Sequence, residues 1–239
     1  MRIYKFQIRI IQLAVILTIL VMVGGYFDIG LGKIGKEPSE KNSAGTPPAA
    51  SEQNQTETPK NTKIVCLGDS YTIGWPGDEK DSWPEVMKEI LQVEVVNAGK
   101  ASQNAGDLLR RFEEDVLKEE PGRVIIFAGI GDALRGTPLN EYQENLISMV
   151  EKAEANGIEP ILILPLPYPG TEDLYQAYLE WEKAYAQEKN ITVLDFKELL
   201  FSGGEQMSEK YSDDGKYPNK EGYKAMGEYM AEKVKELGI

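Results

Sequence analysis

No histidine occurs anywhere in the 239 residues, and cysteine occurs once. The missing imidazole removes the side chain that most often moves protons near neutral pH, and with it the usual general base of a serine nucleophile. It also removes the common zinc ligand sets, which need several His or Cys together. Cys66 has no partner for an intrachain disulfide. It sits inside the apolar run Ile64-Val65-Cys66-Leu67 and reads as a small buried hydrophobe. Positive charge is scarce too: 26 Lys and Arg stand against 39 Asp and Glu, a formal net charge of −13. Most of the acidic excess falls after residue 62, and a surface of that sign repels phosphate backbones, so no nucleic-acid partner is expected.

Long apolar runs are equally rare, with one exception. Arg2, Lys5 and Arg9 form a basic end over residues 1–9, ahead of an apolar stretch over 10–27. As a helix that stretch is about 27 Å long, close to the ~30 Å hydrocarbon core of a bilayer. Basic residues on the amino side place that end in the cytoplasm and the rest outside. The stretch reads as an uncleaved transmembrane anchor or a secretory signal, and in the second case the product is secreted. No cysteine stands at its end or in the segment up to residue 62, so a lipid-modified amino terminus is not expected. Residues 28–62 carry Pro38, Pro47, Pro48 and Pro59 among Ser, Thr, Asn, Gln, Glu and Lys, with few large apolar residues. Such a segment cannot offset the entropy of ordering and reads as a flexible linker.

From 63 to 239 the pattern alternates. Short apolar runs over 63–67, 93–96, 124–128, 160–164 and 192–195 read as buried strands. Helical stripes lie between them. Ser82 is placed to cap the first, with Pro84 in its opening turn. The second covers about 105–118, and the third covers 139–156 and stops at Gly157. Thr171 is placed to cap the fourth, and the last covers about 220–237. Five strands alternating with helices predict a parallel sheet covered on both faces, a three-layer α/β/α sandwich of the flavodoxin-like type. Ligands in such folds bind beyond the carboxyl ends of the strands. That rule directs attention to the loops after each strand.

Those loops carry the informative residues. Gly68-Asp69-Ser70-Tyr71-Thr72 follows the first strand, and Asn97-Ala98-Gly99 with Asp107-Leu108-Leu109 follows the second. Gly129-Ile130-Gly131-Asp132 follows the third, and Asp214-Gly215-Lys216-Tyr217-Pro218-Asn219 precedes the last helix. Four such blocks in this order resemble those of the SGNH, or GDSL-type, serine hydrolases over nearly all of 63–239. The resemblance implies the fold of that family and ester or acyl hydrolysis, with Ser70 as nucleophile and Asp214 as the aspartate that orients the base. The position of the family's catalytic histidine is Tyr217. The oxyanion positions are the Ser70 amide, Ser102 (with Gly99 nearby as the competing register) and Gly131, where the family has an asparagine.

A phenol with pKa near ~10 is a poor general base at neutral pH. A carboxylate, ordinarily near pKa ~4, is a weak one too, so Asp213 and Asp214 serve as bases only where burial makes them stronger. The resemblance therefore implies an esterase impaired by the loss of its base. The alternative is a non-catalytic relative whose cleft binds a cell-surface glycan or acyl ligand, and a scaffold role stays open beside both. Blander roles stand beside each residue. Ser70 can cap the next segment, Asp214 can close an ordinary turn, and Tyr217 can fill the space of a histidine and bond to Ser70 or Asp214. Trp75, Tyr71 and Tyr168 either line the cleft or pack the loops. No cofactor and no metal are expected; Asp69 and Asp132 are the carboxylates that could help bind a hard cation, a reading nothing else in the sequence supports.

Overall fold

The computed structural model describes residues 61–238 apart from 202 and 205. The expected membrane segment over 10–27, the basic end before it and all but the last two residues of the linker lie outside the described residues. No helix among the described residues is long and apolar enough to cross a membrane.

Five strands form one parallel sheet: β1 (Ile64–Gly68), β2 (Val95–Gly99), β3 (Arg123–Phe127), β4 (Glu159–Ile163) and β5 (Thr192–Leu194), in the order β2-β1-β3-β4-β5. The central strands β1 and β3 are buried along their whole length, which explains why they read as continuous apolar runs. β2 starts two residues later than its apolar residues suggest and runs on through Asn97 to Gly99. It does so because its ladder is set by β1, from Ile64 opposite Val95 to Gly68 opposite Gly99.

Eight helices accompany the sheet in the described residues. They are α1 (Ser70–Ile73), α2 (Trp83–Leu91), α3 (Ala105–Asp115), α4 (Ile130–Arg135), α5 (Leu139–Ala155), α6 (Glu172–Lys189), α7 (Lys197–Phe201) and α8 (Lys220–Glu236). Successive strand residues point to opposite faces, and the core divides accordingly. Ile64, Cys66, Ile125 and Phe127 pack with Trp83, Met87, Met226 and Met230 of α2 and α8. Val65, Leu67, Val124 and Ile126 pack with Phe112, Leu146, Met149 and Tyr178 of α3, α5 and α6. Each such side chain, taken fully out of water, contributes about 1.5–3 kcal/mol.

Two expected caps are not made. Ser82 precedes α2, but its hydroxyl accepts from Asn97 Nδ2 at 3.0 Å and caps nothing. Thr171 precedes α6, but its hydroxyl donates back to the Tyr168 carbonyl at 2.8 Å. The second expected helix ends at Asp115, and a short 3₁₀ turn (Leu117–Glu119) replaces its last residues. The third ends as expected, with Gly157 in a left-handed conformation two residues past Ala155.

One buried pair on the α5–α6 side carries a pH consequence. Tyr142 donates to Glu182 Oε2 at 2.6 Å, and Glu182 is 1% exposed. Burial raises the Glu182 pKa to about 8, against a smaller downward pull from Tyr142. The folded state therefore binds this proton when the unfolded state has lost it. Stability falls as pH rises from about 4.5 to about 8, by a few kcal/mol. Glu182→Gln keeps an acceptor for Tyr142 and removes the titration. Urea unfolding is expected to find the variant more stable than the parent at pH 8.5 and similar at pH 5. Parallel pH curves for the two proteins would disprove this reading.

Candidate active site

The first strand fixes the starting point. β1 ends at Gly68, and Asp69 turns its carboxylate inward, where Oδ1 accepts the Tyr71 N–H at 3.0 Å. Asp69, not Ser70, is the cap of α1. Ser70 opens the helix, at the carboxyl end of a central strand. Asp69 is buried, and that burial pushes its carboxyl up to about 7, against the pull of the Tyr71 amide.

The loop after β2 closes over Ser70. The Ser102 N–H donates to Ser70 Oγ at 3.0 Å. Gly99, the competing register, spends its amide on Asn97 Oδ1 at 2.9 Å. Ser102 sits at φ 61, a left-handed conformation that costs a non-glycine residue on the order of 1 kcal/mol or more. Two arginines hold it there. Arg135 donates to the Ser102 carbonyl and, at 2.6 Å, to Asp107 Oδ2. Arg111 donates to the Gln103 side chain at 2.5 Å and to the Gly68 carbonyl at 2.8 Å. Asp107 also accepts the Asn104 N–H at 3.1 Å in a reciprocal cap at the start of α3. Burial works upward on the Asp107 carboxyl, but the Asn104 amide and Arg135 outweigh it, and it ends below the usual range.

Gly131 lies under the same loop. A Cβ built there would run into the Gln103 carbonyl oxygen and crowd the Asn104 amide. The absence of a side chain at 131 is therefore the condition for the observed path of residues 102–104. Its neighbour Asp132 is fully buried and accepts the Ala105 N–H through Oδ2 at 2.9 Å, while Oδ1 has no hydrogen-bond partner in the described structure. Burial raises this carboxyl to about 6.

The last block is a tight turn. Asp214 Oδ1 accepts the Lys216 N–H at 2.8 Å, the Tyr217 N–H at 2.9 Å and the Ser212 hydroxyl at 3.1 Å. Partial burial works upward on this carboxyl, but the two amides win, and the pKa falls. Asp214 is thus even less of a base than an ordinary aspartate. Asp213 accepts from Asn219 Nδ2 at 3.1 Å. The expected hydroxyl bond from Tyr217 to Ser70 or Asp214 is not made among the described residues. Tyr217 reaches Asp214 through its backbone N–H, and its ring packs on Tyr71 at 5.4 Å and edge-on to Tyr168 at 5.9 Å. Burial, helped by the Tyr168 hydroxyl, pushes the Tyr217 phenol up to about 12.

Ser70, Ser102, Gly131 and Tyr217 line one open cleft of about 240 Å³ together with Asp69 and Arg135, and Asp214 is not among the lining residues. Tyr71 also lines it and ties α1 to the last block by donating to the Lys216 carbonyl at 2.6 Å. Trp75 does not line it; this side chain is 53% exposed. A second cleft, lined by Tyr168, Tyr175, Glu172, Gln176 and Lys197, borders the first through the Tyr168–Tyr217 ring contact. No group of three or more potential ligands is placed to hold a metal among the described residues.

The sequence reading missed both arginines. Arg135 stands four residues after Gly131, the spacing that puts two residues on one helix face, but α4 is too short to show as a periodic stripe.

The model of the GDSL-like lipase/acylhydrolase family matches residues 66–225. A solved G-D-S-L family protein from Desulfitobacterium hafniense is 51% identical. It covers 72% of this chain and 99% of its own, with a TM-score of 0.70. The thioesterase 1/protease 1/lysophospholipase L1 of Escherichia coli K12 is 24% identical over 178 residues, covering 73% of this chain and 84% of that protein. The Bacillus subtilis lipoprotein YqeF is 32% identical over 117 residues, 44% of this chain and only 48% of that relative's length.

Proposed function

Because the chain belongs to the GDSL-like lipase/acylhydrolase family, we propose that it is an acyl hydrolase working without its imidazole, slow at neutral pH, with Ser70 as nucleophile. The Ser102 N–H directed at Ser70 Oγ carries this reading. A hydroxyl that only filled space would not need a backbone donor held in a strained conformation. Ser70 Oγ adds to the acyl carbon, and the carbonyl π pair moves onto oxygen. The hydroxyl proton passes to solvent, because Tyr217 is neutral and Asp214 is held below its usual range. Collapse of the adduct expels the leaving alkoxide, which takes a proton from water. Water then cleaves the acyl-serine to acid and free Ser70.

The roles of Asp214 and Tyr217 follow from the same reading. Asp214 shapes the turn that presents residue 217 to the cleft, and Tyr217 stands where the base would be. The substrate class we favour is a cell-surface acyl ester, including acylated glycan. The neighbouring Tyr168 cleft supports it, since aromatic faces beside Glu172, Gln176 and Lys197 suit an amphipathic leaving group. The apolar stretch over 10–27 and the linker over 28–62 fit a single-pass anchor that holds this domain outside the cytoplasm.

A fluorophosphonate probe tests the nucleophile. Labelling of Ser70 is expected to be slow at pH 7 and to rise about tenfold per pH unit towards pH 9, as hydroxide replaces the missing base. Ser70→Ala abolishes it. Labelling no faster than in Ser70→Ala at pH 9 would leave the binding-only reading in its place.

A further inference from the structure

Replacing the family's asparagine by Gly131 removes one side-chain donor from the site, and the structure assigns its replacement. We infer that Arg135 is the second oxyanion donor of this cleft. The inference rests on Ser70 being the nucleophile.

Gly131 and Arg135 lie one turn apart on α4. Side chains on a helix lean back towards its amino end, so a long side chain at 135 covers the space above 131. Closer in, the place a Cβ would take at 131 is held by the Gln103 carbonyl. The seating of Gln103 places Ser102 in its left-handed conformation, with the N–H on Ser70 Oγ and the carbonyl on Arg135. The glycine, the strained serine and the arginine therefore form one device. Arg135 is the one cation among the described residues that line the cleft. A guanidinium has five N–H donors. One hydrogen bond goes to Asp107 and one to Ser102, and the side chain, 48% exposed, lines the cleft with its other donors unspent among the described residues.

When Ser70 Oγ bonds to the acyl carbon, the π pair becomes a full charge on the carbonyl oxygen. A fixed guanidinium beside the Ser102 amide stabilises that charge more than the neutral ground state, which is the condition for raising kcat rather than lowering KM.

The test uses the full chain, a fluorophosphonate for the Ser70 reaction and p-nitrophenyl acetate for turnover. Arg135→Ala is expected to slow labelling and kcat about 100-fold with KM nearly unchanged. Added guanidinium ion is expected to restore a large part of the rate with no change in the Tm of the variant, whereas refilling a clamp that merely holds the loop would raise the Tm as well. Arg135→Lys keeps the charge without the planar fork and is expected to fall about tenfold; it also serves as the readout if the alanine variant fails to fold. Parent-like rates in folded Arg135→Ala, or parent-like rates in Arg135→Lys when the alanine variant is unfolded, would overturn the inference while leaving Ser70 as nucleophile. A loss in the alanine variant that guanidinium does not relieve, or relieves only together with a raised Tm, would do the same. An unlabelled parent protein would remove both readings together.

Discussion

Tyr217→His is expected to raise the rate of Ser70 acylation at pH 7.5 by about 100-fold or more, the usual worth of a positioned general base. Position 217 already lines the cleft with Ser70, and the turn that places it is fixed by three hydrogen bonds to Asp214 Oδ1. A phenol pushed up to about 12 holds its proton through the whole physiological range. An imidazole with pKa near ~6.5 is free to accept one from just above that point. The shape of the pH profile changes with the sign of that difference. In the parent the rate climbs with hydroxide and has no plateau below about pH 10. In the variant it climbs through the imidazole pKa and levels off, because only the neutral ring accepts the proton. The ring contacts to Tyr71 and Tyr168 are weakened, at a cost of about 0.5–1.5 kcal/mol each. The domain is expected to tolerate this. Tyr217→Phe serves as control and leaves the rate unchanged. Hydrolysis of p-nitrophenyl acetate between pH 6 and 10 checks all three proteins. A folded Tyr217→His variant with the parent's profile would show that 217 is not the base position.

Among the groups that line the cleft, Asp69 is the carboxylate that could blur this profile, since burial brings it to about 7. Its Oδ1 is engaged by the Tyr71 amide, with a further pull from the Gly131 amide. It is a frame for the turn after β1 and gives no hydrogen bond to Ser70 among the described residues. An inflection near pH 7 in the parent that vanished in Asp69→Asn would contradict that assignment.

The parallel sheet was legible because β1 and β3 are buried on both faces and must be written in apolar residues throughout. The same logic failed at β2, whose later residues Asn97 and Gly99 are placed by the ladder to β1 and by close packing on α1 rather than by hydrophobicity. The short helices α1 and α4 were invisible to periodicity, although they present Ser70 and Arg135 to the cleft. Caps were no more legible: the two expected from the sequence, Ser82 and Thr171, are not made, and the two asparagine caps were not singled out. Asn219 and Asn104 accept the amides expected of such residues, whereas the Ser82 hydroxyl was claimed by Asn97, a partner fifteen residues away. The family resemblance picked out Ser70, Ser102, Gly131 and Tyr217, and the fold brings all four to one cleft. The resemblance could not give the state of those residues. That the Ser102 amide rather than the Gly99 amide reaches Ser70 depends on Arg135, Arg111 and Gln103, whose joint arrangement exists only once three strands are side by side.

Gly131→Asn is expected to do the opposite of repair. Measured against the family pattern alone, asparagine at 131 restores a missing oxyanion donor, and its combination with Tyr217→His would rebuild an ordinary site. In this fold the obstacle begins at the first side-chain atom, because the Gln103 carbonyl occupies the place of a Cβ. A backbone carbonyl cannot rotate out of the way as a side-chain tip can. Residues 102–104 must move instead, and with them the Ser102 N–H on Ser70 Oγ and the Ser102 carbonyl on Arg135. Overpacking of this kind costs about 1–3 kcal/mol, and an immovable neighbour argues for the upper end. That corresponds to a fall in Tm of roughly 5–10 °C for a domain of this size. Labelling of Ser70 is expected to drop about 100-fold, as it does on loss of a single oxyanion donor. Gly131→Ala is diagnostic, since it offers no new donor but brings the same Cβ. It is expected to lose nearly as much as the asparagine variant in both measurements. In the double variant, histidine at 217 then works against a displaced loop, and its rate should fall below that of Tyr217→His alone. If Gly131→Asn instead kept the parent's Tm and sped the labelling of Ser70, the loop would be free to yield, and the dependence of Ser102 on a bare position 131 would be wrong.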